Sequence, residues 1–351
     1  MKSGTLKYLL VYVTPVVVFF SVRSADIWSY SAVALLFGVL PFLELFSRGS
    51  EANLTEQEEE VATKNRLFDL IIYGLLPVQY LILVYFLFQI GQEGLPLYAW
   101  VGMTIAFGLS CGVLGINAAH ELGHRSTRYE QFMSKMLLLS TLYMHFFIEH
   151  NRGHHKNVST EEDPATSRYG ETLYGFYVRT IRDSWLSAWR LEADRLGKAG
   201  LPFWSWQNEM LRFQVIQLAF VAAIYVIFGF FVLCHFLAGA ALGALLLETV
   251  NYIEHYGLMR KKTGSRYERP LPAHSWNSNH PIGRLMLLEL SRHSDHHFMA
   301  NRKYQVLRHF DDSPQMPTGY PGMMLLALIP PLWFRVMHRE IEKYRAGGVI
   351  A

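Results

Sequence analysis

The chain has 351 residues, of which 51% are hydrophobic and 17% charged, and its net charge is +3. The apolar residues run in long, nearly uncharged blocks, which is typical of a membrane protein and argues against two soluble domains. A nucleic-acid partner would need a clustered basic face, so none is predicted. The two cysteines, Cys111 and Cys234, are too widely separated to build a disulfide framework or a Cys-x-x-Cys metal site.

Six apolar stretches are long enough to cross a bilayer, which takes about 20 helical residues. They cover residues 6–22, 27–46, 67–90, 97–119, 213–233 and 236–256. The turn between the last two is predicted at Cys234 and His235. The first stretch contains Pro15 and has no small-residue cleavage site, so it reads as a span and not as a signal peptide. We therefore predict an all-α polytopic membrane protein that forms one domain over 1–351.

The distribution of basic residues predicts the orientation of these spans. Lys2 and Lys7 lie at the N-terminus and Arg48, Lys64 and Arg66 in an even-numbered connection, whereas Arg23 is alone in the odd-numbered ones. The positive-inside rule then places both termini in the cytoplasm. The long segments 120–210 and 257–351 follow the fourth and sixth spans, so they share that side.

Histidines concentrate in four short stretches, HELGH, EHNRGHH, NYIEHYGL and LSRHSDHH. A spacing of three or four residues places imidazoles on one face of a helix, and imidazole binds Zn, Cu, Fe and Ni. Nine imidazoles are too many for one tetrahedral zinc but suffice for two metal ions that keep open positions. The candidate ligands are His120, His124, His150, His154, His155, His255, His293, His296 and His297.

Two other classes of protein use parts of this pattern. HELGH fits the zinc protease motif His-Glu-x-x-His, with Glu121 as the base, but that interpretation uses two of the nine clustered histidines. A metal transporter needs ionisable residues in mid-membrane, whereas Glu44, Asp69 and Glu248 lie toward the histidine ends of their spans. Both alternatives therefore explain less of the sequence.

Metal-bound histidines usually donate their second ring N–H to a carboxylate or carbonyl. His145 lies five residues before His150, off the ligand face of a regular helix, so it is predicted to pack in the protein interior. His235, His309 and His338 are interpreted as ordinary polar loop residues at a membrane interface. The candidate supporting residues are Glu121, Glu149, Asp163, Glu254, Asp295 and His274.

The histidine stretches, together with HSWNSNHP and PTGYPGM, closely resemble the membrane-bound alkane monooxygenases, the AlkB-type alkane ω-hydroxylases. The resemblance runs from about Ala118 to Met323 and includes the order and spacing of all four groups. Membrane fatty acid desaturases and xylene monooxygenase share the arrangement of histidine motifs. The residues of NYIEHYGL and RHSDHH, however, resemble those of the alkane monooxygenases. A fatty acyl desaturase or hydroxylase and a xylene-type monooxygenase remain the alternatives.

The resemblance implies a six-helix membrane fold with a cytoplasmic di-iron cap, in which the nine histidines bind two non-haem iron ions. The implied reaction converts an n-alkane from the bilayer and O2 into a 1-alkanol. The electrons would come from rubredoxin, which an NAD(P)H-dependent rubredoxin reductase reduces, and the protein would reside in a bacterial inner membrane.

An alkane needs a channel between the spans that ends under the histidines. We expect Phe42, Leu43 and Phe46 in the second span to line it and to limit chain length. Basic residues near the histidines could also steer an acidic electron donor. They are Arg125, Arg128, Lys135, Arg260, Lys261, Lys262, Arg302 and Lys303.

Overall fold

The computed structural model describes residues 2–350, which are mostly helical. Among these residues, five helices are long and apolar enough to cross a membrane. The first four membrane helices and a longer fifth one cover Gly4–Ser24, Ile27–Phe46, Arg66–Ile90, Leu97–Gly123 and Glu209–His255. The predicted all-α membrane fold is confirmed.

The fifth membrane helix folds back on itself as a hairpin. Its backbone leaves helical geometry at Gly229, whose φ of 83° is accessible to glycine at little cost. The rings of Phe220 and Phe236, on either side of this break, lie 5.7 Å apart, so the two halves are antiparallel neighbours. The predicted turn at Cys234 and His235 is therefore wrong, because both residues lie inside the second half of the hairpin.

The outer faces of the membrane helices carry large apolar side chains that the fold leaves uncovered. Leu81 is 69% exposed, Val226 80% and Phe230 71%. Contiguous apolar surface of this kind is stable only against lipid or another apolar surface. The exposed faces therefore identify an integral membrane protein.

Further helices at the histidine end of the bundle form a cap. Threonine side chains cap three of its helices, at Thr55, Thr127 and Thr172, by accepting from backbone N–H groups in the first turn. A small antiparallel ribbon pairs Lys262–Thr263 with Arg266–Tyr267. The cap helices are Glu56–Lys64, Arg128–Ser140, Phe146–Glu149, His155–Asn157, Leu173–Lys198, Pro281–Met286, His293–Phe298, Tyr320–Ala327 and Pro330–Ala346.

Within residues 2–350, three π-helical turns interrupt the regular helices near the centre of the molecule. They cover Ala34–Val39 in the second membrane helix, Cys111–Ile116 in the fourth and His150–His154 in the cap. A π-turn widens the helix and is frequent at functional sites. The first two flank a cavity and the third carries candidate metal ligands.

An aromatic cluster fixes the end of the hairpin against the cap. Trp276 and Trp333 are fully buried beside Tyr252 and Tyr256. The Trp276 indole donates to the Tyr256 carbonyl at 2.9 Å, and the Trp276 backbone N–H donates to the Glu254 carbonyl at 2.8 Å. These contacts hold the last turn of the hairpin in place.

Candidate metal centre

All nine predicted histidines meet in the cap, where they form two groups. Within each group the potential ligand nitrogens lie within 4.8 Å of one another. The two groups are adjacent, since the rings of His155 and His297 are 4.6 Å apart. The five-histidine group comprises His120, His124, His150, His155 and His296, and the four-histidine group comprises His154, His255, His293 and His297.

In the five-histidine group the Nε2 atoms face a common point. His150 Nε2 lies 3.1 Å from His124 Nε2 and 3.0 Å from His155 Nε2. His155 Nε2 is 3.0 Å from His296 Nε2. The Nε2 of His120 is buried without a hydrogen-bond partner, and a metal ion at this point would satisfy it.

The four-histidine group has the same construction. His297 Nε2 lies 3.2 Å from His154 Nε2 and 2.9 Å from His293 Nε2, which is itself 3.2 Å from His255 Nε2. With metal–nitrogen bonds of about 2.1 Å, neighbouring ligands of an octahedral ion are about 3.0 Å apart, and those of a tetrahedral ion about 3.4 Å. Both groups therefore fit metal ions, and the spacings favour higher coordination than that of a structural zinc.

The local helix geometry decides which histidines share a group. His120 and His124 are four residues apart on one helical face, as are His293 and His297. His150 instead shares its group with His155, because the π-turn His150–His154 aligns residues five apart. Regular helical spacing would have grouped His150 with His154.

The electrostatics of the cap keep these imidazoles neutral, which is the form that binds a metal. Burial lowers the pKa of His124 to about 3. Burial, reinforced by the neighbouring imidazoles, also lowers the pKa of five further cap histidines well below its usual value. Those with this shift are His150, His155, His293, His296 and His297.

Asp163 forms a hydrogen bond with one of these imidazoles, that of His154. The Nδ1 of His154 donates to Asp163 Oδ2 at 2.9 Å, while the Nε2 of the same ring faces His297. Burial raises the pKa of Asp163, but His154 and the hydroxyl of Thr166 outweigh burial and lower it overall. The carboxylate therefore orients the ring and fixes its tautomer.

Three other candidate carboxylates face away from the ligands. Glu121 accepts from Arg125 at 2.6 Å. Asp295 accepts from Arg302 at 3.0 Å and from the Arg308 backbone at 2.7 Å. Glu149 accepts from Ser187 at 3.4 Å. These residues stabilise the cap around the histidines.

Two candidates have environments that sequence reasoning did not foresee. The Nδ1 of His274 accepts from the Leu271 backbone, and its Nε2 lies 3.3 Å from Glu268 Oε1. Glu254 approaches the four-histidine group from the inside, with Oε2 3.1 Å from His293 Nε2. Tyr320 donates to the other oxygen of Glu254 at 2.6 Å.

The remaining histidines belong to neither group. His145 packs against Tyr143, with ring centroids 4.3 Å apart. His235 contacts the Thr104 hydroxyl, His309 contacts Asn279 and His338 contacts the Tyr256 hydroxyl. His309 lies in a loop, as the sequence predicted, whereas His235 and His338 lie within helices and not in loops.

An apolar cavity leads from between the membrane helices to the histidines. Its walls include Leu36, Leu40, Leu109, Val113, Leu247 and Met324. Its inner end reaches both groups through His120, His150 and His293. Asn117, Asn251 and Tyr320 line the same end, and the sequence had not singled them out.

The predicted channel residues do not line this cavity. Phe42 is 60% exposed, Leu43 46% and Phe46 76%, because the helical twist turns them to the outer surface. Leu36 and Leu40 of the same helix line the cavity instead. The helix Ile27–Phe46 covers the predicted range, but its inward face was assigned wrongly.

Comparison with known proteins agrees with this architecture. A family model described as fatty acid desaturase matches residues 95–327. The chain is 42% identical over 330 residues to alkane 1-monooxygenase 1 of Pseudomonas aeruginosa, and the alignment covers 91% of this chain and 85% of that protein.

Two further relatives show how far the similarity extends. Alkane 1-monooxygenase 1 of Alcanivorax borkumensis is 38% identical, with 96% of this chain and 84% of that protein covered. The xylene/toluene monooxygenase hydroxylase component XylM of Pseudomonas putida is 29% identical over 67% of this chain and 63% of its own length. This chain therefore belongs to the alkane 1-monooxygenases of the fatty acid desaturase family.

Proposed function

We propose that this protein is a di-iron alkane 1-monooxygenase. It inserts one oxygen atom of O2 into the terminal C–H bond of an n-alkane and releases the other as water, which consumes two electrons and two protons for each 1-alkanol formed. The observation that carries the proposal is the apolar cavity that ends between two groups of buried imidazoles.

The chemistry explains why a metal site is needed. A methyl group of an alkane has no dipole, acidic proton or leaving group, so side chains acting as bases or nucleophiles cannot attack it. Two irons, when bound, supply the redox chemistry that activates O2. The nine histidines, which we propose as the iron ligands, hold the ions, and Asp163 fixes the orientation of His154.

The cavity residues place the substrate. Each CH2 group removed from water contributes about 0.8 kcal/mol, so an alkane concentrates in the bilayer. Phe37, Leu247 and Met324 line the cavity and are only half-buried, which supports an entrance from the lipid between their helices. A narrow apolar passage presents the end of the chain to the histidines, and this orientation favours the terminal carbon.

Metal analysis and turnover test this function. Protein purified in detergent should contain two irons per chain and, with an electron donor, convert octane to 1-octanol. His154→Ala and His296→Ala, one from each group, should lower both quantities. Xylene and a fatty acyl substrate tested in parallel address the two alternative activities. A single zinc that is retained in His296→Ala and lost in His120→Ala would instead make HELGH the site and overturn the proposal.

We further propose rubredoxin, reduced by an NAD(P)H-dependent rubredoxin reductase, as the electron donor. Cys111 and Cys234 are free and distant in sequence, so an external redox protein is required. His124 and His155 are half-buried, whereas the four-histidine group is buried throughout. This difference supports electron entry through the five-histidine group.

The basic residues near the histidines divide into two sets. Arg125 and Lys303 pair with Asp69, and Arg302 pairs with Asp295, so these three stabilise the cap. Lys261 and Lys262 are exposed. Reversing both to glutamate should raise the apparent KM for rubredoxin at low salt, because long-range attraction would be lost. An unchanged KM would argue against steering by this pair.

We also propose that the termini and the cap lie in the cytoplasm of the bacterial inner membrane, as the basic residues predict. Residues 1 and 351 lie outside the described part of the chain. In a Cys234→Ser background, Lys261→Cys in the cap should react with an impermeant maleimide from the cytoplasmic side. Glu93→Cys, in the loop after the third membrane helix, should react from the opposite side. The reverse result would invert the topology.

A further inference from the structure

The cap helix Leu173–Lys198 carries an exposed apolar stripe on one face. Its members Tyr174, Val178, Ile181 and Trp185 are all exposed, and Val178 reaches 72%. Spacings of four, three and four residues place these side chains in one row along the helix. Contiguous exposed apolar surface marks a contact with lipid or with another protein. The stripe is therefore a candidate interaction surface.

The same helix crosses the open end of the membrane hairpin. The Tyr177 hydroxyl lies 2.6 Å from the Thr249 hydroxyl of the second half. Further along, Glu192 accepts at 2.6 Å from the backbone N–H of Glu209, where the first half begins. Glu209 and Thr249 are each 20 residues from the break at Gly229, so both lie about 30 Å from the turn. The helix therefore runs across the end of the membrane-spanning region.

The stripe borders the side of the helix that faces the hairpin. Tyr177 contacts the hairpin, and its helical neighbours three residues before and four residues after it are Tyr174 and Ile181 of the stripe. With 3.6 residues per turn, the exposed Arg182 and Arg190 fall on the sides turned away from Tyr177. The helix thus presents one side to the protein, an adjoining side that is apolar and a further side that is basic.

We propose that the helix Leu173–Lys198 lies in the membrane interface, where its stripe contacts the boundary between lipid headgroups and acyl chains. Helices that lie in this plane combine an apolar face with basic residues on the polar face, as this one does. The inference concerns the position of the cap on the bilayer and does not depend on the reaction at the metal centre.

Exposed apolar side chains continue the stripe at both ends. At the start of the helix, the Tyr174 hydroxyl donates to the carbonyl of the exposed Leu328 at 2.8 Å. At the other end, the rings of Trp185 and Trp189 lie 5.9 Å apart, and those of Trp189 and Phe203 lie 5.8 Å apart. The stripe is therefore part of a longer apolar band along the edge of the cap.

This band joins the lipid-facing surface of the hairpin. The rings of Phe203 and Trp204 lie 4.9 Å apart, and Trp204 and Trp206 are both exposed shortly before the first half of the hairpin begins. Val215 and Leu218 of that half are exposed as well. Tryptophan is enriched where the headgroup region meets the hydrocarbon core. This continuity favours lipid over a soluble protein as the occupant of the stripe.

Spin labels measure the depth of the stripe in the bilayer. In a Cys234→Ser background, where the remaining Cys111 is buried, labels are attached to Val178→Cys in the stripe and to Arg190→Cys on the basic side. The protein is reconstituted into vesicles of phosphatidylcholine and phosphatidylglycerol. Electron paramagnetic resonance compares the collisions of each label with O2, which concentrates among acyl chains, and with a water-soluble nickel chelate. We expect the label at 178 about 5–10 Å below the headgroup boundary and the label at 190 in water.

Other results would contradict the proposal. Equal access of the nickel chelate to both labels would mean that the stripe faces water. Protection of the label at 178 from O2 and from the chelate would mean that a protein, such as a second copy of this chain, covers the stripe. If Val178→Cys does not accumulate in membranes, Ile181→Cys replaces it with the same expectation. A protein that shows the expected depths but does not oxidise alkanes would overturn the proposed function and leave this assignment standing.

Discussion

Each histidine in the cap acquires its role from the direction of its two nitrogens. His154 directs Nε2 to the four-histidine group and donates Nδ1–H to Asp163. His145 is also buried but packs its ring against Tyr143, outside both groups. Burial alone therefore does not identify a ligand. The distinguishing feature is a nitrogen that faces other unprotonated nitrogens.

Removing the charge of Asp163 should weaken metal binding. In Asp163→Asn the amide is a poorer acceptor for His154 Nδ1–H, so the ring loses its fixed orientation and part of its basicity. Losses of this kind lower metal affinity by about 10- to 100-fold. Iron retention during dialysis against a chelator measures the effect. Glu162→Gln, at an exposed neighbouring carboxylate, is the matched control. Equal retention in both variants would contradict the role of Asp163.

At the level of single elements, the π-turn His150–His154 is the feature that sequence periodicity could not predict. The sequence identified all nine histidines, but regular helical spacing places His150 and His154 on one face. The structure instead places His150 beside His155. A π-turn depends on packing in the folded protein and has no reliable local signature. The set of histidines that meet in the cap was therefore predictable, and its division into two groups was not.

Gly153 lies within this π-turn, where a larger residue would disturb it. A Cβ there would lie 2.5 Å from Glu149 Oε1 and 3.1 Å from Leu191 of the helix Leu173–Lys198. Gly153→Ala should therefore displace the turn at a cost of about 1–3 kcal/mol and lower the iron content of purified protein. Gly197→Ala has nothing within 4 Å and should retain its iron. Full iron content in Gly153→Ala would show that the turn tolerates the methyl group.

The fourth membrane helix lines the cavity, so a position along it predicts which alkane chain lengths the cavity accepts. Val113 lines the cavity seven residues before His120, or about 10 Å along the helix. Val113→Phe should obstruct the cavity there and lower kcat/KM for long n-alkanes more than for short ones. Competition between octane and hexadecane measures the ratio. Phe42→Ala, on the exposed face of the second membrane helix, should leave it unchanged. A parent-like ratio in Val113→Phe would contradict the assigned path.

For the whole molecule, the sequence predicted the class of helical membrane proteins, because long apolar blocks match the hydrocarbon core of a bilayer. It misplaced the hairpin turn, since Cys234 and His235 are more polar than Gly229, although the turn requires the backbone freedom of glycine. It also assigned Phe42, Leu43 and Phe46 to the channel, because an apolar helix in a membrane has no polar face that reveals its orientation. Packing between distant helices determines which face points inward.

Metal removal should loosen the molecule as a whole, because the nine histidines come from four segments separated by up to 177 positions, from His120 to His297. An ion whose Kd for the folded state is a thousandth of its free concentration adds about 4 kcal/mol to the free energy of unfolding. Chelation should therefore lower the Tm of the purified protein by about 5 °C or more. His296→Ala should start at a lower Tm and respond less to the chelator, whereas Phe42→Ala should respond like the parent. A Tm that chelation leaves unchanged would mean that the membrane helices alone hold the cap together.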